Sequence, residues 1–560
     1  QDNFLVFDGG ARIAHVPGTV DYSAKFDIGD SMPEPFRPPR FGVTCLGPSH
    51  GFDPRDNTSG FIIWLNGNGI MIDPPVNSTE WLLKSNVNPK FIDSIILTHC
   101  HADHDAGTFQ KILEEGRVTI YTTRTVLASF LRKYSAFSGE SQDYLRKLFS
   151  FKPVFIGRPF FLHGGEFSVR YAVHSIPTMG FQLKFQGKSF VYSSDHQGDP
   201  KVQQDMADKG AISERRLQEL KAFPWDSDVI YHESGIAPLH TPLTYLNSLP
   251  MEVKEKTVLY HISRKDFDKV ETSGLRLATF GIENTLYFST EKSEYETAYR
   301  ALDALKRLDF VASMPVSKVQ EFISIIEWRS YPRGEKIIRK GSLGNYFYMI
   351  MAGNAAVVNE SLDREKHLGA CEYFGEVALL TNIPRTADII AETDVQCIVI
   401  EKSRFLNFIS GTRFESVLQR ILEKRSEEVW NVLIQSPALT KLTDYQKMWL
   451  EGALEPRSYS GSGVLAERGE MLDGIHVIRN GSVIADDGHG GIQQLGEGDI
   501  VGLLNAIQRN EAATQTFRHN GPVDTLFLSA EMCRDFVRQN PGTAMRLDYA
   551  GRELSRGESA

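Results

Sequence analysis

The chain has 560 residues, 41% of them apolar and 24% charged, with a formal net charge of −10. That length exceeds what one hydrophobic core organises, so about three domains are expected. The acidic balance argues against a protein that coats nucleic acid, which needs a basic surface to displace counterions, and no apolar stretch approaches the ~20 residues of a membrane helix.

The five cysteines are scattered and odd in number, which points to reduced thiols and a cytoplasmic location. The opening residues lack the basic, apolar, small-residue order of a secretory signal. Residues 1–40 hold a hairpin-like stretch and a connector rich in proline around Pro33, Pro35, Pro38 and Pro39. They are expected to form an N-terminal extension that lies on the surface or reaches a partner subunit.

Residues 41–290 alternate β-prone runs with helical ones, the pattern of an α/β domain. Within them, Ile95-Ile96-Leu97 runs into Thr98-His99-Cys100-His101-Ala102-Asp103-His104. A strand ending in a tight turn points those histidines and the aspartate into one small volume. Imidazole and carboxylate are ligands of zinc, manganese or iron. Four in one turn can serve two metals, with His99 and His101 on one and Asp103 and His104 on the other.

The pattern His-x-His-x-Asp-His resembles the metal signature of the metallo-β-lactamase-fold hydrolases. Gly42–Gly47 with Asn57–Ile63 looks like that family's opening hairpin, and Gly69–Asp73 like the strand that ends in an aspartate before the first helix. Three single ligands follow β-prone runs in the family's order: His174 after Tyr171-Ala172-Val173, Asp195 after Phe190–Ser194, and His261 after Thr257–Tyr260. The resemblance implies an αββα sandwich with two divalent metals. It places His99, His101 and His174 on one metal and Asp103, His104 and His261 on the other, with Asp195 as bridge. Zinc is the expected metal, manganese and iron being admitted by the same ligands. The family leaves the position of Cys100 free, so that thiol reads as a bystander.

Tyr231-His232-Glu233-Ser234 resembles a segment of the phosphodiesterase branch, known from the tRNA 3′-processing endonucleases, and His240-Thr241 its later histidine. There the histidine contacts phosphate and helps protonate the leaving oxygen. Glu233 and His240 stand closer in sequence than in those enzymes; with Asp103 they complete the implied catalytic set. His196 reads as a turn cap rather than a substrate contact. The tRNA enzymes also insert a long arm between the single histidine and the bridging aspartate, whereas here one hairpin, Met179–Val191, joins His174 to Asp195. A small phosphodiester is therefore the expected substrate, and class II cyclic-nucleotide phosphodiesterases share this branch.

Residues 291–309 read as a connector helix, with Tyr295, Ala298, Ala301, Leu302, Leu305 and Leu308 on one face. Residues 310–430 form a different unit: a helix near Val319–Ile326, short β runs punctuated by glycine, and a helix at Ser403–Ile409. Its segment Tyr373–Leu380, closed by Pro384–Ala387, resembles the cassette of cyclic-nucleotide-binding β-roll domains. The resemblance implies a site at Phe374, Gly375, Glu376, Val377, Ala378, Arg385, Thr386 and Ala387. Glu376 would accept the ribose hydroxyl and Arg385 would fork onto the cyclic phosphate. With Thr386 after the arginine, cAMP and cGMP are both admitted as effector.

Residues 431–560 look like a second, degenerate copy. Leu442–Tyr445 matches the opening helix, Ile475–Val483 matches Tyr348–Val357, and Leu495–Gly502 leads into the cassette. There Leu503 stands where Glu376 stood, and Glu511-Ala512-Ala513-Thr514 supplies no arginine. This copy is expected not to bind nucleotide by the same contacts, and to serve dimerisation or the relay of a conformational change.

Together these features imply a dinuclear-metal phosphodiesterase that hydrolyses cAMP or cGMP under the control of bound cyclic nucleotide, as a homodimer. An RNA-processing nuclease under the same control would need a long basic groove. A non-hydrolytic sensor, with the first domain as scaffold, is argued against by the complete ligand set. A thioester or lactam hydrolase is argued against by the His232-Glu233 segment and His240.

Overall fold

Paired turn residues with positive φ organise the N-terminal half. Asn66–Gly67, His163–Gly164 and Gln186–Gly187 each hold both central residues in the left-handed region, the geometry of a two-residue type I′ hairpin. They join Gly60–Leu65 to Asn68–Ile72, Pro159–Leu162 to Gly165–Ala172, and Thr178–Phe185 to Lys188–Tyr192. The structure is a computed structural model. It describes residues 3–554 except 9, 18–31, 115–117, 236–237, 291–295, 309–315, 359–365, 377–378, 380–383, 386, 413, 418, 420–428, 430, 434–435, 437, 440–441 and 443.

Two seven-stranded sheets result. The first runs Leu286–Tyr287, Phe41–Gly47, Gly60–Leu65, Asn68–Ile72, Ile92–Ile96, Thr119–Thr122, Ser150–Pro153. The second runs Arg276–Leu277, Thr257–Tyr260, Val229–Glu233, Lys188–Tyr192, Thr178–Phe185, Gly165–Ala172, Pro159–Leu162. Their inner faces share one core, where Phe61, Ile63 and Ile72 meet Phe181, Phe190 and Tyr192. The Phe61 ring stands edge-on to Tyr192 at 4.7 Å. Strands buried on both faces read as unbroken apolar runs, as in Gly60-Phe61-Ile62-Ile63-Trp64-Leu65. With helices such as Ala102–Glu114 and Arg124–Ser138 outside the sheets, this is the αββα sandwich.

The sandwich determines where a site can form. Asn68–Ile72 pairs in parallel with Ile92–Ile96, Lys188–Tyr192 with Val229–Glu233, and Val229–Glu233 in turn with Thr257–Tyr260. Side chains just beyond the carboxyl ends of these strands therefore converge, the usual location for ligands in such sheets.

Residues 326–401 form a β-roll of two four-stranded sheets. One runs Ile326–Tyr331, Val395–Glu401, Tyr346–Ala352, Tyr373–Phe374, and the other Lys336–Ile338, Asp388–Ala391, Ala355–Val358, Lys366–Leu368. The preceding helix spans Val316–Ile325, so Ile326 opens the first strand instead of closing the helix. The C-terminal segment repeats the same strand order, with Glu455–Tyr459, Val523–Ser529, Gly474–Asn480, Ile500–Val501 in one sheet and Gly463–Ala466, Thr516–His519, Val483–Asp486, Ile492–Leu495 in the other. The chain divides into two compact units, Gly29–Lys424 and Gln1–Ile28 with Arg425–Ala560. No described helix is long and apolar enough to cross a membrane.

Within the larger unit the connector helix is Glu296–Arg307, its predicted first turn with Tyr295 lying outside the described residues. It buries Ala301, Ala304 and Leu305. Asn68 of the sandwich donates to Asp303 at 2.8 Å and accepts from Arg307 at 2.7 Å, while Arg300 donates to Gln396 of the roll at 3.1 Å. Sandwich and roll also touch directly: Asn88 donates to the Ala370 carbonyl at 2.7 Å and Asn354 to Asn86 at 3.0 Å. A cavity of about 880 Å³ opens between these contacts.

Candidate metal centre and nucleotide pocket

Strand ends and one helix start assemble the seven predicted ligands. His99 and His101 lie in the turn after Ile92–Ile96; Asp103 and His104 begin the helix Ala102–Glu114. His174 follows the strand Gly165–Ala172, Asp195 follows Lys188–Tyr192 and His261 follows Thr257–Tyr260. Three residues here sit in the left-handed region, Asp73 at φ 44°, Ser194 at φ 55° and His261 at φ 59°. Non-glycine residues reach that region at a cost that surrounding structure must offset, and such positions cluster at functional sites.

Four overlapping groups form among the described residues. His99, His101, His174 and Asp195 converge, as do Asp103, His104 and His261; Asp73 joins His99 and His104 in a third, and His240 joins Asp195 and His261 in a fourth. Asp195 stands between them: its oxygens lie 3.3 Å from His104 Nε2, 3.3 Å from His261 Nε2, 3.6 Å from His174 Nε2 and 3.7 Å from His99 Nε2. Asp103 Oδ2 lies 3.5 Å from His261 Nε2. Ligand atoms about 2.1 Å from one tetrahedral ion stand roughly 3.4 Å apart, the spacing seen here.

Four of the facing atoms are otherwise unused. His99 Nε2, His104 Nε2, His261 Nε2 and Asp195 Oδ1 are buried without a hydrogen-bond partner. Unpaired buried polar atoms are costly, and a bound cation satisfies all of them at once. The residues present thus fit a pair of divalent metals. Burial disfavours an ionised Asp195, yet the facing histidines, His104 first, outweigh it and hold its carboxyl well below the usual range. Burial, joined by the neighbouring histidines, holds His174 down at about 4, a neutral ligand form.

The second layer sets the tautomers. Asp73 is fully buried and accepts from the Thr98 N–H at 2.8 Å, the Thr98 hydroxyl at 2.5 Å and His104 Nδ1 at 3.2 Å. With its Nδ1 proton given to Asp73, His104 offers Nε2 as a lone pair. The Thr98 hydroxyl has spent its proton on Asp73, so His99 Nδ1, 3.0 Å away, donates to it and likewise frees Nε2. Asp73 lies near His99 and His104 as a third carboxylate, but these donors occupy its oxygens; it is a positioning residue.

The Glu233–His240 pair is brought together despite its short sequence spacing. Glu233 is buried at the end of Val229–Glu233 and accepts from His240 Nδ1 at 3.0 Å, the Gly235 N–H at 2.9 Å and the Thr241 N–H at 2.8 Å. The His240 ring lies 4.7 Å from that of His261 and 5.1 Å from that of His174, so it covers both metal groups. Burial opposes its charged form, but the hydrogen bond and charge of Glu233 prevail and raise its pKa above the ordinary histidine value.

Neighbouring histidines take other roles. His196 accepts the Val173 N–H at 3.1 Å, a turn-bracing contact. His232 turns away from the centre and stacks on Trp225 at 5.4 Å. Cys100 donates to the Val126 carbonyl at 3.3 Å and is not among the converging groups. The sequence reading missed His50-Gly51, whose Gly51 N–H donates to Asp103 at 3.0 Å and whose His50 ring lies 6.0 Å from His261. Their only sequence signal is a His-Gly pair after the opening strand.

In the first roll, Arg385 is buried beside Gly375 and Phe374. Its guanidinium donates to the Gly375 carbonyl at 2.7 Å and the Tyr346 carbonyl at 2.8 Å, while Phe374 stacks on Tyr348 at 5.0 Å. Burial lowers the arginine's pKa somewhat, against the opposing pull of Tyr348 and Glu376. Gly375 takes φ 92°, which lets the chain turn there beneath the arginine. Ala387 follows on the same segment; Val377, Ala378 and Thr386 lie outside the described residues.

Backbone register locates the equivalent positions in the second roll. Gly341 donates to the Arg385 carbonyl and Arg385 to the Ser342 carbonyl, just as Gly469 donates to Ala513 and Ala513 to Glu470. Ala513 therefore stands at the arginine position. Gly502, at φ 98°, matches Gly375, which places Leu503 at the position of Glu376. The Leu504 N–H is taken by Asp548 at 2.9 Å. A carboxylate there opposes a phosphate.

Residues 41–279 match the family model described as Anti-Pycsar protein Apyc1, and residues 328–412 that of the cyclic nucleotide-binding domain. The chain is 38% identical over 513 residues to the cGMP-dependent 3′,5′-cGMP phosphodiesterase A of Dictyostelium discoideum, covering 90% of this chain and 58% of that protein. It is 32% identical over 494 residues to the cAMP/cGMP-dependent 3′,5′-cAMP/cGMP phosphodiesterase B of the same organism, covering 80% and 44%. Among solved structures it is similar to the metallo-beta-lactamase fold protein YhfI from Bacillus subtilis, with 15% identity, 43% and 97% coverage and a TM-score of 0.33. The chain spans about half the length of the curated relatives it matches. It is an αββα sandwich, matched over residues 41–279 by the Apyc1 model, followed by two β-rolls, the first matched by the cyclic nucleotide-binding domain model, and along 90% of its length it is similar to a cGMP-dependent 3′,5′-cGMP phosphodiesterase.

Proposed function

We propose that this protein is a dinuclear-metal phosphodiesterase that hydrolyses cAMP or cGMP and is regulated by cyclic nucleotide bound at its first β-roll. One observation carries the catalytic reading: Asp195 faces four histidine nitrogens, three of them orphaned, while the Glu233–His240 pair closes over the same centre. His99, His101 and His174 would hold one metal, and Asp103, His104 and His261 the other, with Asp195 shared; zinc suits this set of imidazoles and carboxylates best. When bound, such metals lower the pKa of a water and neutralise charge on a phosphoryl oxygen.

The chain's own residues do the rest. Asp73 and Thr98 keep His104 and His99 in the tautomers that present Nε2. Glu233 accepts from His240 Nδ1 and stabilises the doubly protonated ring, the form in which Nε2 also carries a proton and can give it to the leaving ribose oxygen. The hydrogen bond and charge of Glu233 shift His240 toward that protonated form. A small substrate fits the short link between His174 and Asp195, which contains the hairpin Thr178–Phe185 with Lys188–Tyr192 and no RNA-gripping arm. Arg385 and Glu376 would take the phosphate and ribose of the regulatory nucleotide. The second roll, with Leu503 and Ala513 in their place, is left for dimerisation or relay.

The test is turnover of cAMP, cGMP, cyclic dinucleotides and a chromogenic diester by the metal-loaded chain, with and without added cyclic nucleotide. Hydrolysis of a cyclic mononucleotide that Asp195→Ala abolishes is expected. Cleavage of RNA with no turnover of cyclic mononucleotides would overturn the substrate assignment.

A further inference from the structure

The turn after the opening strand presents an aromatic ring to solvent, and no chemistry described above uses it. This turn is held rigidly. Ser49 Oγ donates to Asp53 Oδ2 at 2.7 Å, the Arg55 N–H donates to Asp53 Oδ1 at 2.9 Å, and the Asp53 N–H donates to the His50 carbonyl at 3.0 Å. The Phe52 N–H donates to His50 Nδ1 at 3.2 Å. Asp53 itself is buried.

The same turn is fastened to the metal centre. Gly51 donates to Asp103 Oδ2 at 3.0 Å, and a Cβ on Gly51 would meet the Asp103 side chain at 3.0 Å, so glycine permits the close approach. The His50 ring lies 6.0 Å from that of His261 and 6.2 Å from that of Phe52. Phe52 is 86% exposed. Single exposed apolar residues are ordinary on loops. This one differs because polar contacts, not apolar packing, fix its backbone, and because one of those contacts ends on a residue of the metal centre.

We infer that Phe52 is the nucleobase platform of the catalytic site: with the phosphate of a cyclic nucleotide at the metal centre, the Phe52 ring stacks on its base. This rests on the phosphodiesterase reading above. An aromatic face stacks on any base, because every base has a π-face. The contact therefore supplies affinity without choosing between adenine and guanine, and the choice of base falls to other groups. Because Phe52 lies outside the reacting atoms, it acts on binding and not on the chemical step.

The experiment compares the metal-loaded full chain with Phe52→Ala and Phe52→Trp on cAMP, cGMP and a base-free cyclic ribose phosphate. Metal content is measured for each variant. Phe52→Ala is expected to raise KM about tenfold for both nucleotides with kcat within about twofold, and Phe52→Trp to restore KM. The loss is expected to be confined to substrates that carry a base. An unchanged KM for the nucleotides, or an equal loss on the base-free substrate, would overturn the inference while leaving the phosphodiesterase reading in place; the first of these would leave Phe52 as a contact for another protein. Absence of nucleotide turnover by the unaltered chain would overturn both.

Discussion

Replacing Asp73 by alanine tests the second layer of the metal centre. The side chain is fully buried and accepts from the Thr98 N–H, the Thr98 hydroxyl and His104 Nδ1, with the Tyr192 hydroxyl at 3.4 Å. Removing it frees His104 to take the wrong tautomer or to rotate, and releases the Thr98 hydroxyl that orients His99. Loss of such outer partners typically costs about 10–100-fold in metal affinity, roughly 1.4–2.8 kcal/mol. The orphaned Thr98 N–H adds a folding cost of about 1–3 kcal/mol. The effect should be uneven. His104 loses its direct partner, whereas His99 loses only an indirect one and His101 and His174 lose none. Dialysis against a graded chelator should therefore strip the metal held by Asp103, His104 and His261 first, taking the chain from two equivalents toward one, with a lowered melting temperature. Asp73→Asn, which keeps the shape and one acceptor, should fall between. Wild-type metal affinity in Asp73→Ala would refute the tautomer argument, and equal loss of both metals would refute the assignment of Asp73 to the His104 side.

Four further outcomes are expected. Glu233→Gln should lower kcat on the order of 100-fold while both metals stay bound, since it removes the charge that orients His240; loss of metal in this variant would make Glu233 structural. Calorimetry of the metal-free chain should find one cyclic-nucleotide site in the β-rolls, that of residues 310–410, weakened by about 2–5 kcal/mol in Arg385→Ala, because Ala513 and Leu503 leave the second roll without the matching contacts; two equivalent roll sites would contradict this. Arg307→Ala should weaken the coupling of nucleotide binding to turnover, by removing one of the two hydrogen bonds through which Asn68 ties the connector helix to the sandwich, the bond to Asp303 remaining; an unchanged response to nucleotide would exclude that route. His476 in the second roll is buried, which lowers its pKa to about 4. A histidine depressed on folding favours the folded state fully above its unfolded value of about 6.5 and less as pH falls toward the folded one. Melting temperature should therefore drop between pH 6.5 and 4, and less steeply in His476→Phe; identical slopes would show that His476 does not report this burial.

Much of the site was legible in the chain order of its ligands. Each converging histidine or aspartate follows an apolar run, and a strand that ends delivers the next side chain to the sheet's edge whatever the rest of the fold does. The departure of the second roll from the cassette pattern was legible too, because no arginine stands in Glu511-Ala512-Ala513-Thr514; the structure supplied the register that puts Ala513 at the position equivalent to Arg385. Glu233 and His240 were harder: they stand closer in sequence than in the tRNA 3′-processing endonucleases, yet a buried carboxylate that also accepts from Gly235 and Thr241 folds the intervening loop back on itself. Three things belonged to the tertiary structure alone. The strand pattern marks Asp73 but not its partner: His104 is 31 residues on, and the carboxylate reaches its ring because Asn68–Ile72 pairs in parallel with Ile92–Ile96, the strand that leads into the helix carrying His104. His50 and Phe52 lie in a turn with no periodic signal and join the centre through one backbone hydrogen bond from Gly51. Asn86 and Asn88 meet Asn354 and Ala370 across more than 260 residues. Local pattern determines which segments become strands and which side chains carry metal chemistry, because those depend on neighbours along the chain. Tautomers, rim contacts and the fit of sandwich to roll depend on groups far apart in sequence, and these are set only when the strands have paired.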